Sequence, residues 1–175
     1  MTTSKILAAK MGISHPKVRR YAFEFFGGIE PIRARSGVRR ELSLEQAFTI
    51  FLATFLVGEL GYSSVEAKKI LHELDFWLKT NGLIPYSDVK KLPKKRWQIK
   101  IIPLAEGGFL YKSVEIVRNF MEKDEESGRK LEVLKISEDF ITRIPVDQGV
   151  SSYQWRERIL PISLLLGQFT VTMGD

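Results

Sequence analysis

Apolar residues recur at helical spacing through the first eighty positions, and the period changes after that. In "SKILAAKM" (4–11), Ile6, Leu7 and Met11 supply one apolar side, Ser4 reads as the cap, and Gly12 breaks the run. "ISHPKVRRYAFEFF" starts a second helix. Ser14 is a natural N-cap, and Pro16 fits a first turn that has no intrahelical use for its N–H. Val18, Tyr21 and Phe25 fall on one stripe and Lys17, Arg20 and Glu24 on another, with Gly27 and Gly28 as the stop. "IEPIRARSGVRRELS" places Pro31 and a Ser36-Gly37 turn between alternating stretches, which predicts a small hairpin with arms near 30–35 and 38–42. Ser43 then caps "LEQAFTIFLATFLVGEL", with Glu45 and Gln46 in the first turn. Phe48, Phe51, Leu52, Phe55 and Leu56 repeat at three and four, and Ile50 widens the stripe, which implies burial on more than one side. Gly61 ends that helix. The next, "SSVEAKKILHELDFWLK", turns Val65, Ile70, Leu71, Leu74, Trp77 and Leu78 inward and closes at Gly82.

Residues 81–96 carry two prolines and a cluster of Lys90, Lys91, Lys94, Lys95 and Arg96, and read as a basic linker. Beyond them the period moves towards two. "WQIKIIPL" and "FLYKSVEIV" flank "AEGG", a hairpin signal. "EKDEESGR" reads as a charged loop. "KLEVLKI", "FITRIPV", "RERILPI" and "LLLGQFTVTM" are candidate strands, several of them also compatible with short helices. The expected fold class is α+β. Residues 1–80 form a helical domain with a hairpin, 81–96 link, and 97–175 form a smaller β-rich domain suited to dimerisation or to an effector.

Charge changes this picture more than composition does. Apolar residues make up 44% of the 175 and charged residues 27%, as in an ordinary globular protein. No apolar run reaches the ~18–20 residues a spanning helix needs, and the first residues lack a signal peptide's apolar segment, so an intracellular protein without a membrane partner is expected. With no cysteine, disulfides, thiolate metal sites and cysteine nucleophiles are excluded. Two histidines, His15 and His72, are far apart in sequence, and no phosphate-cradling or dinucleotide motif is present, so neither an enzyme nor a cofactor or metal is expected. The net charge is +6. Nine Lys/Arg against two acids give residues 1–40 a charge of +7, which leaves −1 for the remaining 135. Positive charge concentrated in this way favours a polyanionic partner, nucleic acid before an anionic membrane. A solvated basic face is the alternative.

The first two helices fit a helix-turn-helix. Ala8 is the small residue at the crossing, Gly12 supplies a turn at positive φ, and Val18 and Tyr21 pin the second helix to the first. The order helix, turn, helix, basic hairpin, helix, helix over residues 4–78 resembles the DNA-binding domain of MerR-family transcription regulators. The quoted matches are Val18-Arg19-Arg20-Tyr21 in the second helix, Gly37-Val38-Arg39 in the wing and Leu60-Gly61-Tyr62-Ser63 before the last helix. Arg20 stands where the family has an aromatic and Val38 where it has the wing tyrosine. The stretch from Tyr21 to Ile29 is slightly longer, and no long coiled-coil helix or cysteine sensing loop follows residue 80.

The resemblance implies a winged helix-turn-helix, with the second helix in the major groove and the wing on the flanking backbone. It implies Ser14, His15, Lys17, Arg19, Arg20 and Tyr21 from the helix, and Arg33, Arg35, Arg39 and Arg40 from the wing, as DNA-binding residues. It also implies double-stranded DNA as partner, a homodimer, a contact with RNA polymerase, and a nucleoid-associated place in the cytoplasm. Plainer roles stand beside these. Tyr21 suits the core better than a contact, His15 is equally a first-turn polar residue, and Arg40 has Glu41 and Glu45 as neighbours. The 90–96 cluster suits a solvated linker, His72 a helix surface, and Phe48, Phe51 and Phe55 a core or a dimer interface. The function expected is sequence-specific transcription regulation. The rivals are an architectural, recombination or packaging accessory protein related to excisionases, and a protein-interaction adaptor whose winged helix no longer binds DNA.

Overall fold

The computed structural model describes residues 2–26, 41–85, 95–104, 107–123, 130–141 and 157–174. Among them are five helices and two antiparallel sheets, an α+β chain. It divides into two compact units, Met1–Leu92 with Leu165–Asp175, and Pro93–Leu164.

The first unit begins with strand β1 (Thr2–Thr3) and helix α1 (Ser4–Met11). Thr3 caps α1, its hydroxyl oxygen accepting from the Ile6 N–H at 3.3 Å. The cap expected at Ser4 is therefore one residue earlier, which frees the Ser4 hydroxyl for another partner. Helix α2 (His15–Phe26) has Pro16 in its first turn. The hairpin expected around Ser36-Gly37, and the Gly27-Gly28 stop, lie outside the described residues. The end of its second arm does not: β2 (Glu41–Leu42) pairs antiparallel with β1, a strand too short to leave a period in the sequence.

Helices α3 (Leu44–Gly58) and α4 (Ser64–Thr80) each open with a complete capping box, Ser43 with Gln46 and Ser63 with Glu66. α3 stops at Gly58, and Gly61, at φ +68°, turns the chain towards α4. Ala47, Phe48, Ile50, Leu52, Ala53 and Leu56 are buried on α3, so its wide stripe is indeed covered on more than one side. On α4 the buried stripe is Ala67, Ile70, Leu71, Leu74 and Leu78. Val65 does not join it. It is 78% exposed, because five residues before Ile70 is about 140° around the helix. Trp77 is half-buried.

Part of what covers α3 comes from the other end of the chain. "LLLGQFTVTM", expected as a strand, is helix α5 (Ile162–Gly174). Leu165, Leu166 and Phe169 are buried at helical spacing. The Phe169 ring lies 5.1 Å from Phe48 and 5.6 Å from Phe51, centroid to centroid. Lys10 Nζ donates to the Thr172 carbonyl at 3.0 Å, satisfying an acceptor in the last turn of α5. The residues from Leu165 on thus group with the first unit rather than with the β-rich one.

The second unit is a four-stranded antiparallel sheet in the order β5-β4-β3-β6. β3 (Arg96–Pro103) and β4 (Phe109–Lys123) form the expected hairpin, with Gly107 and Gly108 at φ +89° and +101° in its turn. β5 (Lys130–Phe140) covers "KLEVLKI", and β6 (Arg158–Leu160) is all that "RERILPI" contributes to the sheet. The loop at 124–129 and most of "FITRIPV" lie outside the described residues. Register puts Ile99 beside Leu160 and Ile101 beside Tyr111, all four wholly buried on one face. The other face carries Lys100 beside Lys112, with Glu138 one strand further on.

Candidate nucleic-acid interface

The α1–α2 pair is held by three local devices. Gly12 sits at φ 64° and ψ 25°, where its N–H returns to the last carbonyls of α1 and Ile13 N–H donates to the Ala8 carbonyl at 3.1 Å. Ala8, 4% exposed, is the small residue buried beside that turn. Ser4 Oγ and His15 Nε2 lie 2.9 Å apart and tie the first turn of one helix to the first turn of the other. Below them Leu7, Val18, Tyr21 and Ala22 are buried.

That fixes which side of α2 is left over. Arg19 and Arg20 are exposed, Lys17 and His15 are half-buried, and Ser14 is exposed just before the helix. Arg19 has no ion-pair or hydrogen-bond partner among the described residues. Arg20 has two intramolecular ties: its Nε lies 3.8 Å from Glu24 Oε1, and its guanidinium sits 5.3 Å from the centre of the Tyr21 ring. Lys17 Nζ approaches the same ring at 5.8 Å. Tyr21 is wholly buried and packs edge-on against Phe25, so its ring is not offered to a partner. Its hydroxyl finds no hydrogen-bond partner among the described residues. His15 is likewise engaged within the domain, through Ser4. Of the helix residues expected to bind DNA, Ser14, Arg19 and Arg20 are exposed and Lys17 is half-buried, with Arg20 between Arg19 and Lys17 on the arc of α2 that the α1 packing leaves open. Arg33, Arg35, Arg39 and Arg40 lie outside the described residues.

One residue of that side escaped sequence reasoning. Phe23 is 58% exposed, one turn beyond Arg19, an aromatic left in solvent on a helix whose other face is packed. Its spacing of four from Arg19 was the available signal. Of the linker cluster, Lys90, Lys91 and Lys94 lie outside the described residues. Lys95 is engaged locally, 3.0 Å from Glu115 Oε1 and over the Trp97 ring.

The chain matches no family model, and no curated protein or solved structure matches it. Geometry and charge must therefore carry any functional reading. Among the described residues no three His, Asp or Glu side chains gather where a metal ion could be held. No helix among them is long and apolar enough to cross a membrane.

Proposed function

We propose that the first unit binds double-stranded DNA as a winged helix-turn-helix, with α2 in the major groove, and that the protein is a transcription regulator acting as a homodimer. The observation that carries the reading is Arg19. It is an exposed arginine without a partner among the described residues, on a helix whose opposite face is locked to α1, in a stretch of net charge +7. Arginine presents a fork of donors that matches guanine O6 and N7. Lys17 and Arg20 add phosphate affinity without sequence choice, and Arg33, Arg35, Arg39 and Arg40 add positive charge in the same stretch of sequence. Phe48 and Phe51 are occupied by Phe169, so dimerisation through α3 is left with less of its aromatic face than the sequence offers.

Binding of a labelled duplex library, followed by fluorescence anisotropy on the enriched sites, tests this. With about five phosphate contacts, doubling the salt weakens binding about twentyfold. Arg19→Ala combined with Arg39→Ala should abolish measurable binding in moderate salt. Unchanged affinity in that variant, or no binding by the parent chain at low salt, sinks the reading and leaves the adaptor role. A footprint on one palindromic site supports a dimeric regulator, whereas arrays of direct repeats support an accessory protein.

A further inference from the structure

The first unit contains a cavity of about 430 Å³, of the size that small-molecule sites occupy. Its apolar wall draws on three helices and the segment after α4, and includes Phe25 and Phe26 from the last turn of α2, Phe48 and Leu52 from α3, Leu71 from α4, and Ile84. Three of those six side chains are aromatic rings.

Most of the polar groups around it are already engaged. Ser43 and Gln46 close the capping box of α3. Thr49 donates to the Glu45 carbonyl at 2.9 Å. The Glu45 and Asp75 carboxylates both hold the Lys79 ammonium, each at 2.9 Å. Those two carboxylates, the Asp75 hydrogen bond first, hold the Lys79 ammonium well above the ordinary lysine range. Two polar lining groups remain, Lys68 and His72, one turn apart on α4 and exposed. Neither has a partner among the described residues.

We propose that this cavity binds a small aromatic carboxylate. The ring enters the wall of Phe25, Phe26 and Phe48, where burial of apolar surface and ring–ring contact drive it in. The carboxylate stays at the rim, where Lys68 supplies a fixed positive charge and His72 an N–H donor. A carboxylate accepts from both without either surrendering an internal bond. An aromatic amine would have to take Glu45 or Asp75 from Lys79, which breaks an existing 2.9 Å contact.

Isothermal titration calorimetry on the full chain, with no DNA present, tests this with three probes of one shape: phenylacetate, phenylacetamide and phenethylamine. Because DNA is absent, failure here and failure of the DNA-binding reading are separate results. Phenylacetate is expected to bind one site per chain, about tenfold more tightly than the amide, the worth of one charge-assisted contact. The pair Lys68→Gln with His72→Gln should remove that advantage and keep the parent's melting temperature, since both side chains are exposed. Methyl NMR signals of Leu52 and Leu71 should shift on titration and locate the probe. Equal affinity for acid and amide overturns the proposal. So does tighter binding of the amine, an undiminished preference in the double variant, or no binding at millimolar phenylacetate.

Discussion

The sheet and helix α2 treat their cations in opposite ways. In the sheet unit, the three lysines whose side chains are described are engaged inside the fold. Lys95 pairs with Glu115, Lys100 with Glu138 at 2.8 Å and Glu157 at 3.6 Å, and Lys112 lies over the Phe140 ring at 4.7 Å. On α2, Lys17 and Arg20 are half-spent on Tyr21 and Glu24, and Arg19 has no tie among the described residues. Equal residue types thus carry different meaning. A lysine paired across strands is explained by the sheet it belongs to. An arginine with no partner among the described residues, on a helix braced by α1, is what the proposed DNA contact would use.

The largest effect should come from the support rather than the contact. Phe169 is wholly buried between Phe48 and Phe51, so Phe169→Ala should cost the first unit about 3–5 kcal/mol in urea unfolding. It touches no proposed contact, so DNA affinity of the folded fraction should be unchanged. A loss below 1 kcal/mol would mean that α5 does not brace α3 in solution, and the contrast between a braced α2 and the sheet would weaken.

Next comes the direct comparison of one cation from each unit. Arg19→Ala should cost about 1–3 kcal/mol of DNA-binding free energy, concentrated at one base position, with stability held within about 0.5 kcal/mol. Lys100→Ala should do the reverse, leaving binding alone and lowering stability slightly. Equal losses of affinity from both would show a diffuse electrostatic effect and erase the distinction.

The sequence exposed these regions unequally, for physical reasons. α3 and α4 were legible because their ends carry capping boxes and their cores repeat at three and four. The β3–β4 hairpin was legible because Gly107 and Gly108 mark a turn between alternating arms. α5 was not: Thr170, Val171 and Thr172 favour strand locally, and what makes them helical is Phe169 docking on aromatics more than a hundred residues away. Val65 was misplaced because an apolar residue in a first turn need not lie on the stripe. In the candidate site, the burial of Tyr21 followed from its place beside Val18. The Ser4–His15 bond spans two helices and leaves no periodic trace, and Phe23 falls outside the apolar stripe of Val18, Tyr21 and Phe25.

A smaller effect separates contact from scaffold on α2 itself. Tyr21 presents a buried hydroxyl without a partner among the described residues. Removing such a group is neutral or stabilising by up to about 1 kcal/mol. Tyr21→Phe should therefore raise or hold the melting temperature and leave DNA affinity unchanged. A drop in affinity at constant stability would place the hydroxyl on the DNA and reassign the residue.

The smallest effect tests the sheet's side of the contrast by pH. The Lys100 hydrogen bond holds the Glu138 carboxyl below the ordinary carboxylate range, against the opposing effect of burial. The same bond holds Lys100 above the ordinary lysine range. A depressed carboxyl contributes stability that is present above its unfolded pKa and lost as pH falls through the folded one. A raised ammonium contributes below its unfolded pKa and loses it as pH climbs through the folded one. The pair therefore contributes fully between about pH 5 and pH 10, and fades on the acid side through Glu138 and on the alkaline side through Lys100. The Glu138 side chain is 40% exposed, so solvent screening holds the amount below about 1 kcal/mol. Glu138→Gln should lower the unfolding free energy at pH 7 and converge with the parent in acid, once Glu138 is protonated in the folded chain, with DNA binding at pH 7 unaffected. A deficit that persists unchanged into acid would mean the substitution acts through packing. Lys100 would then owe little of its place in the sheet to Glu138.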